Sequence, residues 1–145
     1  MASPLLRLHG NCVAREGAGV LIVGPPGSGK SDLTLRLLRR GWDLIADDRV
    51  EIDGLTARAP AALSGLLEVR GFGIVRCQSI PETDLKLVIA LTDDVPRLPQ
   101  PDRHLGLDLP LVRLNAAHAS APERVALALD CALGRVAQVA GAFAP

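Results

Sequence analysis

Apolar residues fall into short runs along this chain, and most of these runs have the spacing of strands. Leu6, Leu8 and Val13 alternate with polar residues, which predicts a first strand that ends in a glycine-rich turn. Residues 18–24 form a continuous apolar run, which is typical of a central strand buried on both faces. Residues 84–94 predict a further strand. We therefore expect a core built around a sheet.

Two segments have the spacing of helices instead. Residues 31–40 place three leucines on one face, and Gly41 follows at the position of a C-terminal cap. Residues 121–140 carry apolar side chains at helical spacing as far as Val136, and Pro122 falls in the first turn. Strands followed by helices in this way predict the α/β fold class.

The remaining segments predict a strand, a hairpin and a loop. Residues 43–52 predict a second buried strand that becomes polar towards its end. Asp53 and Gly54 form a strong hairpin signal after it, and a short helix is expected before Glu68. Residues 95–114 carry four prolines, which predicts a loop followed by an edge strand.

Length and composition narrow the class of protein. A chain of 145 residues supports one core, so we expect a single domain over residues 1–145. Basic and acidic residues number 16 each and aromatic residues make up 2%, which argues against a nucleic-acid partner. Three widely spaced cysteines predict reduced thiols in a cytosol. No run is long and apolar enough for a signal peptide or a membrane span, so we expect a soluble, cytoplasmic protein.

A phosphate-binding loop is the clearest motif. Residues 24–31, Gly-Pro-Pro-Gly-Ser-Gly-Lys-Ser, match the P-loop pattern G-x-x-x-x-G-K-[ST] between a predicted strand and a predicted helix. The N–H groups of such a loop converge on a phosphate, and the helix N-terminus adds its positive dipole end. Lys30 is expected to reach the β- and γ-phosphates, and the Ser31 hydroxyl to bind Mg²⁺. The predicted nucleotide-binding residues are Gly24, Gly27, Ser28, Gly29, Lys30 and Ser31.

Two adjacent carboxylates, Asp47 and Asp48, follow the P-loop helix at the end of an apolar run. One carboxylate near Ser31 suffices to hold Mg²⁺, whereas a second can accept the proton of an attacking hydroxyl. Adjacent side chains at a strand end point to opposite faces, so the two need not do the same work. Either aspartate could instead cap the turn before Arg49. The motifs disfavour a GTPase, since no guanine-reading N-K-x-D tetrapeptide occurs, but they leave a small-metabolite kinase open.

Four blocks in fixed order resemble the catalytic domain of the HPr kinase/phosphorylase family, bacterial enzymes that act on a serine of the phosphocarrier protein HPr. The blocks are His9-Gly10, the P-loop, G-W-D-L-I-A-D-D-R-V from Gly41, and E-V-R-G-F-G-I from Glu68. The last two are far more specific than the P-loop. The resemblance covers residues 6–114. It implies a P-loop nucleotide-binding domain with a mixed β-sheet flanked by helices, similar to phosphoenolpyruvate carboxykinase-like P-loop kinases.

The resemblance also implies a role for each matching residue. His9 matches an active-site histidine near the transferred phosphate, and Asp48 matches the base that takes the proton of the acceptor serine. Glu68 matches a carboxylate that helps to hold Mg²⁺, and Asp47 is then close to the metal. The implied catalytic residues are His9, Lys30, Asp48 and Arg103, and the implied metal ligands are Ser31, Asp47 and Glu68.

The activity implied by the resemblance is an ATP- and Mg²⁺-dependent protein serine kinase whose partner is HPr. By microscopic reversibility, Asp48 can also return the proton when inorganic phosphate attacks the phosphoserine, which yields serine and pyrophosphate. The family assembles as a hexamer, so a homo-oligomer is expected. We expect the catalytic domain alone, without the family's N-terminal domain. The segment after residue 74 and the C-terminal basic loop are reduced here, so kinase activity is better supported than phosphorylase activity.

Several other interpretations remain open on the residues alone. His9 could be an ordinary half-buried histidine, Glu68 and Arg70 a solvated ion pair, and Arg103 a surface arginine. For the whole chain, the alternatives are a P-loop kinase for a small metabolite and a nucleotide-binding regulatory module without turnover.

Overall fold

The computed structural model describes residues 5–145. Residues 1–4 begin both the predicted domain and the segment in which a signal peptide would start, and they lie outside the described residues. The strands are β1 (Leu5–His9), β2 (Asn11–Arg15), β3 (Ala18–Val23), β4 (Asp43–Ala46), β5 (Arg49–Asp53), β6 (Thr56–Arg58), β7 (Leu66–Val69), β8 (Gly73–Arg76), β9 (Glu82–Leu91), β10 (Arg103–His104) and β11 (Leu109–Leu114). The helices are α1 (Lys30–Leu38), a 3₁₀ turn (Ala61–Leu63) and α2 (Ala121–Ala132). None of the helices in residues 5–145 has the length and apolarity to cross a membrane.

Nine of the described strands form one mixed sheet. Its main path runs β1-β5-β6-β9-β3-β2-β4, and β11 joins the C-terminal half of β9 with β10 beyond it. Strands β3 and β11 run parallel to β9, so the three strands end at the same edge of the sheet. The other pairs are antiparallel, and β7 and β8 form a separate hairpin. The predicted α/β class with a mixed sheet is confirmed.

Both helices pack on one face of this sheet. Val20 and Ile22 of β3 belong to the same buried cluster as Leu33 of α1 and Val125 of α2. Leu21, between them in the strand, points to the opposite face, where residues of β5 and β6 cover it. The second face of the sheet at β3 is therefore covered by the antiparallel strands β5 and β6 of the same sheet.

Two strands predicted as continuous are each broken at the site of interest. The first is divided at Gly10, where a Cβ atom would lie 2.8 Å from the carbonyl oxygen of Ile22. The second is divided into β4 and β5 by a bend at Asp47 and Asp48. Asp48 has a φ of 68°, a left-handed conformation that lies outside the β region and interrupts the regular strand. The predictions of unbroken strands were therefore wrong at Gly10 and at Asp48, two residues joined by a hydrogen bond from the N–H of Gly10 to the carbonyl of Asp48.

The predicted end of the last helix was also wrong. Helix α2 stops at Ala132, because Gly134 adopts a φ of 75° and its N–H donates to the carbonyl of Cys131. Val136, expected on the helix's apolar face, lies beyond this cap and is 39% exposed. The hairpin at Asp53 and the short helical turn before Glu68 are confirmed.

Candidate active site

The P-loop connects the buried strand β3 to helix α1 at the edge where the parallel strands end. Gly27 and Gly29 have φ values of 81° and 97°, which side chains with a Cβ rarely adopt. Gly29 is the residue that precedes α1, so the left-handed turn starts the helix directly at Lys30. The loop therefore presents the N-terminus of α1, whose first N–H groups have no partner within the helix.

The loop's polar groups fit a nucleotide phosphate. The Lys30 ammonium donates to the carbonyl oxygens of Gly24 at 2.7 Å and Pro25 at 3.1 Å, so it lies across the loop. The Ser28 hydroxyl oxygen is buried without a hydrogen-bond partner among the described residues. A buried hydroxyl left without a partner is costly unless a ligand satisfies it. Together with the helix N-terminus, these groups form an anion site of the kind that P-loops use.

Asp47 is held against the P-loop by three hydrogen bonds. Its Oδ1 accepts from the hydroxyl of Ser31 at 3.0 Å and from the side-chain amide of Asn11 at 2.8 Å. Its Oδ2 accepts from the backbone N–H of Glu68 at 2.8 Å. The structure thus brings together Ser31, Asp47 and the backbone of Glu68, three residues predicted as metal ligands, while the Glu68 side chain is exposed.

A magnesium ion suits this donor set. Mg²⁺ takes oxygen ligands, keeps several waters and needs only one or two carboxylates beside the substrate phosphates. Within residues 5–145, no group of three or more His, Cys, Asp or Glu is arranged to hold a metal ion. Ser31 and Asp47, joined by a hydrogen bond of 3.0 Å, would hold the ion together with water and phosphate oxygens.

Asp48 projects away from Asp47 and towards His9. The Nδ1 of His9 lies 4.0 Å from Oδ1 of Asp48, and the two side chains are 80% and 68% exposed. The side chains of Asp47 and Asp48 were predicted to point to opposite faces because residues alternate along a strand. In the structure the chain instead bends at Asp48, whose backbone is left-handed. The interpretation of His9 as half-buried was wrong, and the side chains of His9 and Asp48 are both open to an acceptor from solution.

Asn11 is a site residue that the sequence analysis missed. It is 0% exposed and contacts both aspartates, accepting a hydrogen bond from the backbone N–H of Asp48 at 3.1 Å. The available signal was a polar side chain at the start of strand β2, directly after His9-Gly10 and before the apolar residues 12–14. A fully buried amide requires partners, so its position pointed to a polar network.

Arg103 lies apart from these residues in the structure. Its Nε donates to Oδ1 of Asp108 at 2.7 Å, and its backbone N–H donates to Asp102. Its strand β10 borders β11, which lies on the side of β9 away from β3. At about 4.8 Å per strand, β10 is about 14 Å from the strand that carries the P-loop. A role for Arg103 at the site therefore stays a prediction.

The β7–β8 hairpin stands beside Asp47. Gly71 in its turn and Gly73 at the start of β8 have positive φ, and the hairpin exposes 81% of Phe72 and 69% of Ile74. Cys77 follows the hairpin. Burial, and then the negative charge of Asp47, raise the pKa of its thiol.

The alternative interpretation of Glu68 was an ion pair with Arg70. Among the ion pairs of residues 5–145, none joins the side chain of Glu68 to a basic neighbour.

The sequence of residues 2–105 matches the family model described as HPr Serine kinase C-terminal domain. The chain belongs to this family. It is 38% identical over 128 residues to HPr kinase/phosphorylase 1 of Oceanobacillus iheyensis, covering 80% of this chain and 41% of that protein. It is 36% identical to the HPr kinase/phosphorylase of Clostridium acetobutylicum, covering 78% of this chain and 43% of that protein. The chain thus spans about two-fifths of the length of these two relatives.

A solved structure has the same fold. The Hpr(Ser) kinase/phosphatase from Coxiella burnetii superposes with a TM-score of 0.74 and 24% sequence identity, over 89% of this chain and 97% of that one. At that identity the likeness concerns the fold, and it agrees with the mixed α/β architecture described above.

Proposed function

We propose that this protein is an ATP- and Mg²⁺-dependent serine kinase that phosphorylates the phosphocarrier protein HPr. Membership of the HPr serine kinase C-terminal domain family supports the class of activity. The observation that carries the proposal is the arrangement of the two aspartates, one bonded to the P-loop serine and the other exposed beside a histidine. This arrangement separates a residue suited to the metal from a residue suited to the acceptor.

In the proposed reaction, the P-loop and Lys30 bind the triphosphate of ATP, and Ser31 and Asp47 hold Mg²⁺. The bound ion neutralises charge on the phosphate oxygens. Asp48 accepts the proton of the serine hydroxyl as its oxygen bonds to the γ-phosphorus, and the bond to the β–γ bridging oxygen breaks to release ADP. His9, 4.0 Å from Asp48, is proposed to contact the transferred phosphoryl group.

The openness of the acceptor side favours a protein substrate over a small metabolite. His9 and Asp48 are both more than two-thirds exposed, so a serine on a protein surface can approach them. A kinase for a small metabolite needs a pocket that encloses its acceptor and excludes water. The depression of about 350 Å³ at His9 is lined by the charged residues Arg7, Arg49 and Glu51 and by the apolar residues Leu8, Val50 and Pro60.

Four further properties complete the proposal. The relatives are named kinase/phosphorylase, which supports a reverse reaction in which phosphate attacks the phosphoserine and Asp48 returns the proton. A homo-oligomer and action in the cytoplasm are proposed on the family resemblance. Arg103 is proposed as a catalytic arginine on the same resemblance, and it would have to leave Asp108 to act.

Transfer of label from γ-labelled ATP to purified HPr of the same organism tests this proposal. With Mg²⁺ present, we expect label on HPr and none on an HPr variant whose acceptor serine is alanine. Adding inorganic phosphate to the labelled product then tests the reverse reaction, which releases labelled pyrophosphate. ATP binding without any label on HPr would reject HPr as the substrate and favour a metabolite kinase or a module without turnover.

A further inference from the structure

The side chain of Asn11 uses its whole amide to connect three parts of the site. Its Nδ2 group donates one hydrogen to Oδ1 of Asp47 at 2.8 Å and the other to the hydroxyl of Thr34 at 3.0 Å. Its Oδ1 accepts from the backbone N–H of Asp48 at 3.1 Å. That N–H can only donate, so it determines which end of the amide carries the oxygen. Apolar side chains could fill this space, but they could not make these contacts.

Thr34 connects the amide to the P-loop helix. It is 0% exposed, and its hydroxyl donates to the carbonyl of Lys30 at 2.8 Å while accepting from Asn11. Lys30 begins α1, and Ser31 follows it with its own bond to Asp47. Asn11 therefore lies between the first turn of the P-loop helix and the carboxylate that this turn also binds.

The same amide supports the unusual backbone at Asp48. A left-handed conformation at a residue other than glycine costs on the order of 1 to 3 kcal/mol and persists only where neighbouring contacts hold it. The side-chain oxygen of Asn11 accepts a hydrogen bond from the N–H of Asp48. The N–H of Gly10 donates to the carbonyl of Asp48 at 3.0 Å. These two contacts, one from Gly10 and one from Asn11 at the start of β2, hold the bend from which the Asp48 side chain extends towards His9.

We propose that Asn11 is a positioning residue that sets both aspartates at once. It orients Asp47 towards Ser31 and holds Asp48 in the bend that presents its carboxylate to the acceptor. Because one amide makes both contacts, holding the metal and placing the base depend on the same side chain. The claim that Asn11 places Asp48, the catalytic half of the inference, rests on the proposed kinase function. The claim that Asn11 orients Asp47, its metal half, concerns only the binding of Mg²⁺ and nucleotide.

The test compares Asn11→Ala with Val13→Ala, a matched control in the same strand. Val13 is also 0% exposed and packs on the helix-bearing face, but it belongs to the apolar cluster. For Asn11→Ala we expect kcat for HPr labelling to fall about 10- to 100-fold, and the Mg²⁺ concentration for half-maximal ATP binding to rise by a similar factor. The KM for HPr and ATP binding without Mg²⁺ should stay near their normal values. Val13→Ala should lower the melting temperature without changing kcat or the Mg²⁺ dependence.

A second variant protects the test against a failure to fold. Thr34→Val removes the amide's acceptor on α1, together with the hydroxyl's own bond to the carbonyl of Lys30, and keeps the side-chain shape. We expect its effects on kcat and Mg²⁺ dependence to lie between those of Val13→Ala and Asn11→Ala. Should Asn11→Ala not fold, a Thr34→Val enzyme indistinguishable from Val13→Ala in both readouts would overturn the inference.

The possible failures are distinguishable. If the unmodified protein labels HPr and Asn11→Ala does so with unchanged kcat and Mg²⁺ dependence, the positioning role is wrong and the kinase function stands. If the unmodified protein does not label HPr, the kinase function is wrong. Calorimetric titration of ATP at several Mg²⁺ concentrations then still decides the metal half, and equal Mg²⁺ dependence in the two proteins would reject it.

Discussion

The hydroxyl of Ser31 donates to Oδ1 of Asp47 across 3.0 Å, although 16 residues separate the two in the chain. This contact joins the end of the P-loop to the end of strand β4. It places a hydroxyl and a carboxylate oxygen side by side at the N-terminus of α1, where a nucleotide's phosphates are expected to bind. The proposed metal site can therefore be tested on these two residues first.

Replacing Asp47 should weaken the use of Mg²⁺ far more than the binding of free ATP. In Asp47→Asn the amide keeps the shape but loses the negative charge that attracts the cation, and its NH2 group cannot accept the hydrogen bonds that one carboxylate oxygen received. We expect the Mg²⁺ concentration for half-maximal activity to rise at least about tenfold, measured by label transfer across a Mg²⁺ titration. Asp53→Asn, at the exposed end of strand β5, is the control and should leave the titration unchanged. An unchanged titration in Asp47→Asn would remove this residue from the metal site.

Replacing Asp48 should stop phosphoryl transfer while ATP still binds. In Asp48→Asn the new amide could accept a hydrogen bond from the serine hydroxyl but could not take its proton. We expect this variant to lower kcat by about 10² to 10⁴-fold. The dissociation constant of Mg²⁺-ATP, measured by calorimetry, should change less than about threefold, because Asp47, not Asp48, is bonded to the P-loop serine, whereas Asp48 lies 4.0 Å from His9. Retained turnover would show that another group accepts the proton.

Arg103 can be tested with its ion-pair partner as the control. A catalytic arginine predicts that Arg103→Ala lowers kcat at least about tenfold, because the guanidinium would no longer stabilise the charge on the transferred group. Asp108→Asn breaks the same ion pair but keeps the guanidinium, so it should preserve kcat. Both variants should keep their stability within about 1 kcal/mol, since the pair is exposed. Equal, small effects on kcat would remove Arg103 from the catalytic residues.

The thiol of Cys77 should report on the charge at Asp47. Burial, then the Asp47 carboxylate, raise the pKa of this thiol, so a smaller fraction is thiolate at any given pH than in the unfolded chain. We expect alkylation of Cys77 by iodoacetamide, followed by mass spectrometry, to be slower in the folded protein than in denaturant. Its rate should also begin to rise only at higher pH.

Asp47→Asn provides the comparison for that prediction. Removing the carboxylate removes one cause of the raised pKa, so Cys77 should be alkylated faster than in the unmodified protein at the same pH. Cys12 serves as the internal control, because it is 0% exposed and burial alone raises its pKa. Equal rates for Cys77 in the two proteins would mean that its reactivity is set by burial and not by Asp47.

Local sequence determined the elements that depend on neighbouring residues. The apolar run before the P-loop, the glycines at positions 27 and 29 and the leucine spacing that follows predict β3, the phosphate loop and α1 in order. The same holds for the hairpin at Asp53, where two adjacent residues suffice to specify the turn. These features need only the backbone preferences of a few consecutive residues.

Tertiary structure decided where the strands break and what meets at the breaks. Gly10 is required because the carbonyl of Ile22, on a neighbouring strand, leaves no room for a Cβ atom. The left-handed bend at Asp48 depends on an amide from β2, which is 37 residues distant in sequence. Neither constraint leaves a periodic signal, so alternation alone predicted unbroken strands.

The sequence by itself predicted a phosphate-binding loop and two adjacent carboxylates that follow the P-loop helix in the chain. Only the tertiary structure decided which carboxylate faces the P-loop and which faces His9. It also showed that Asn11 contacts both residues, and it placed the Arg103 side chain on Asp108. The physical reason is that hydrogen bonds are directional and short, so a side chain's role depends on partners that only the pairing of distant strands brings within about 3 Å.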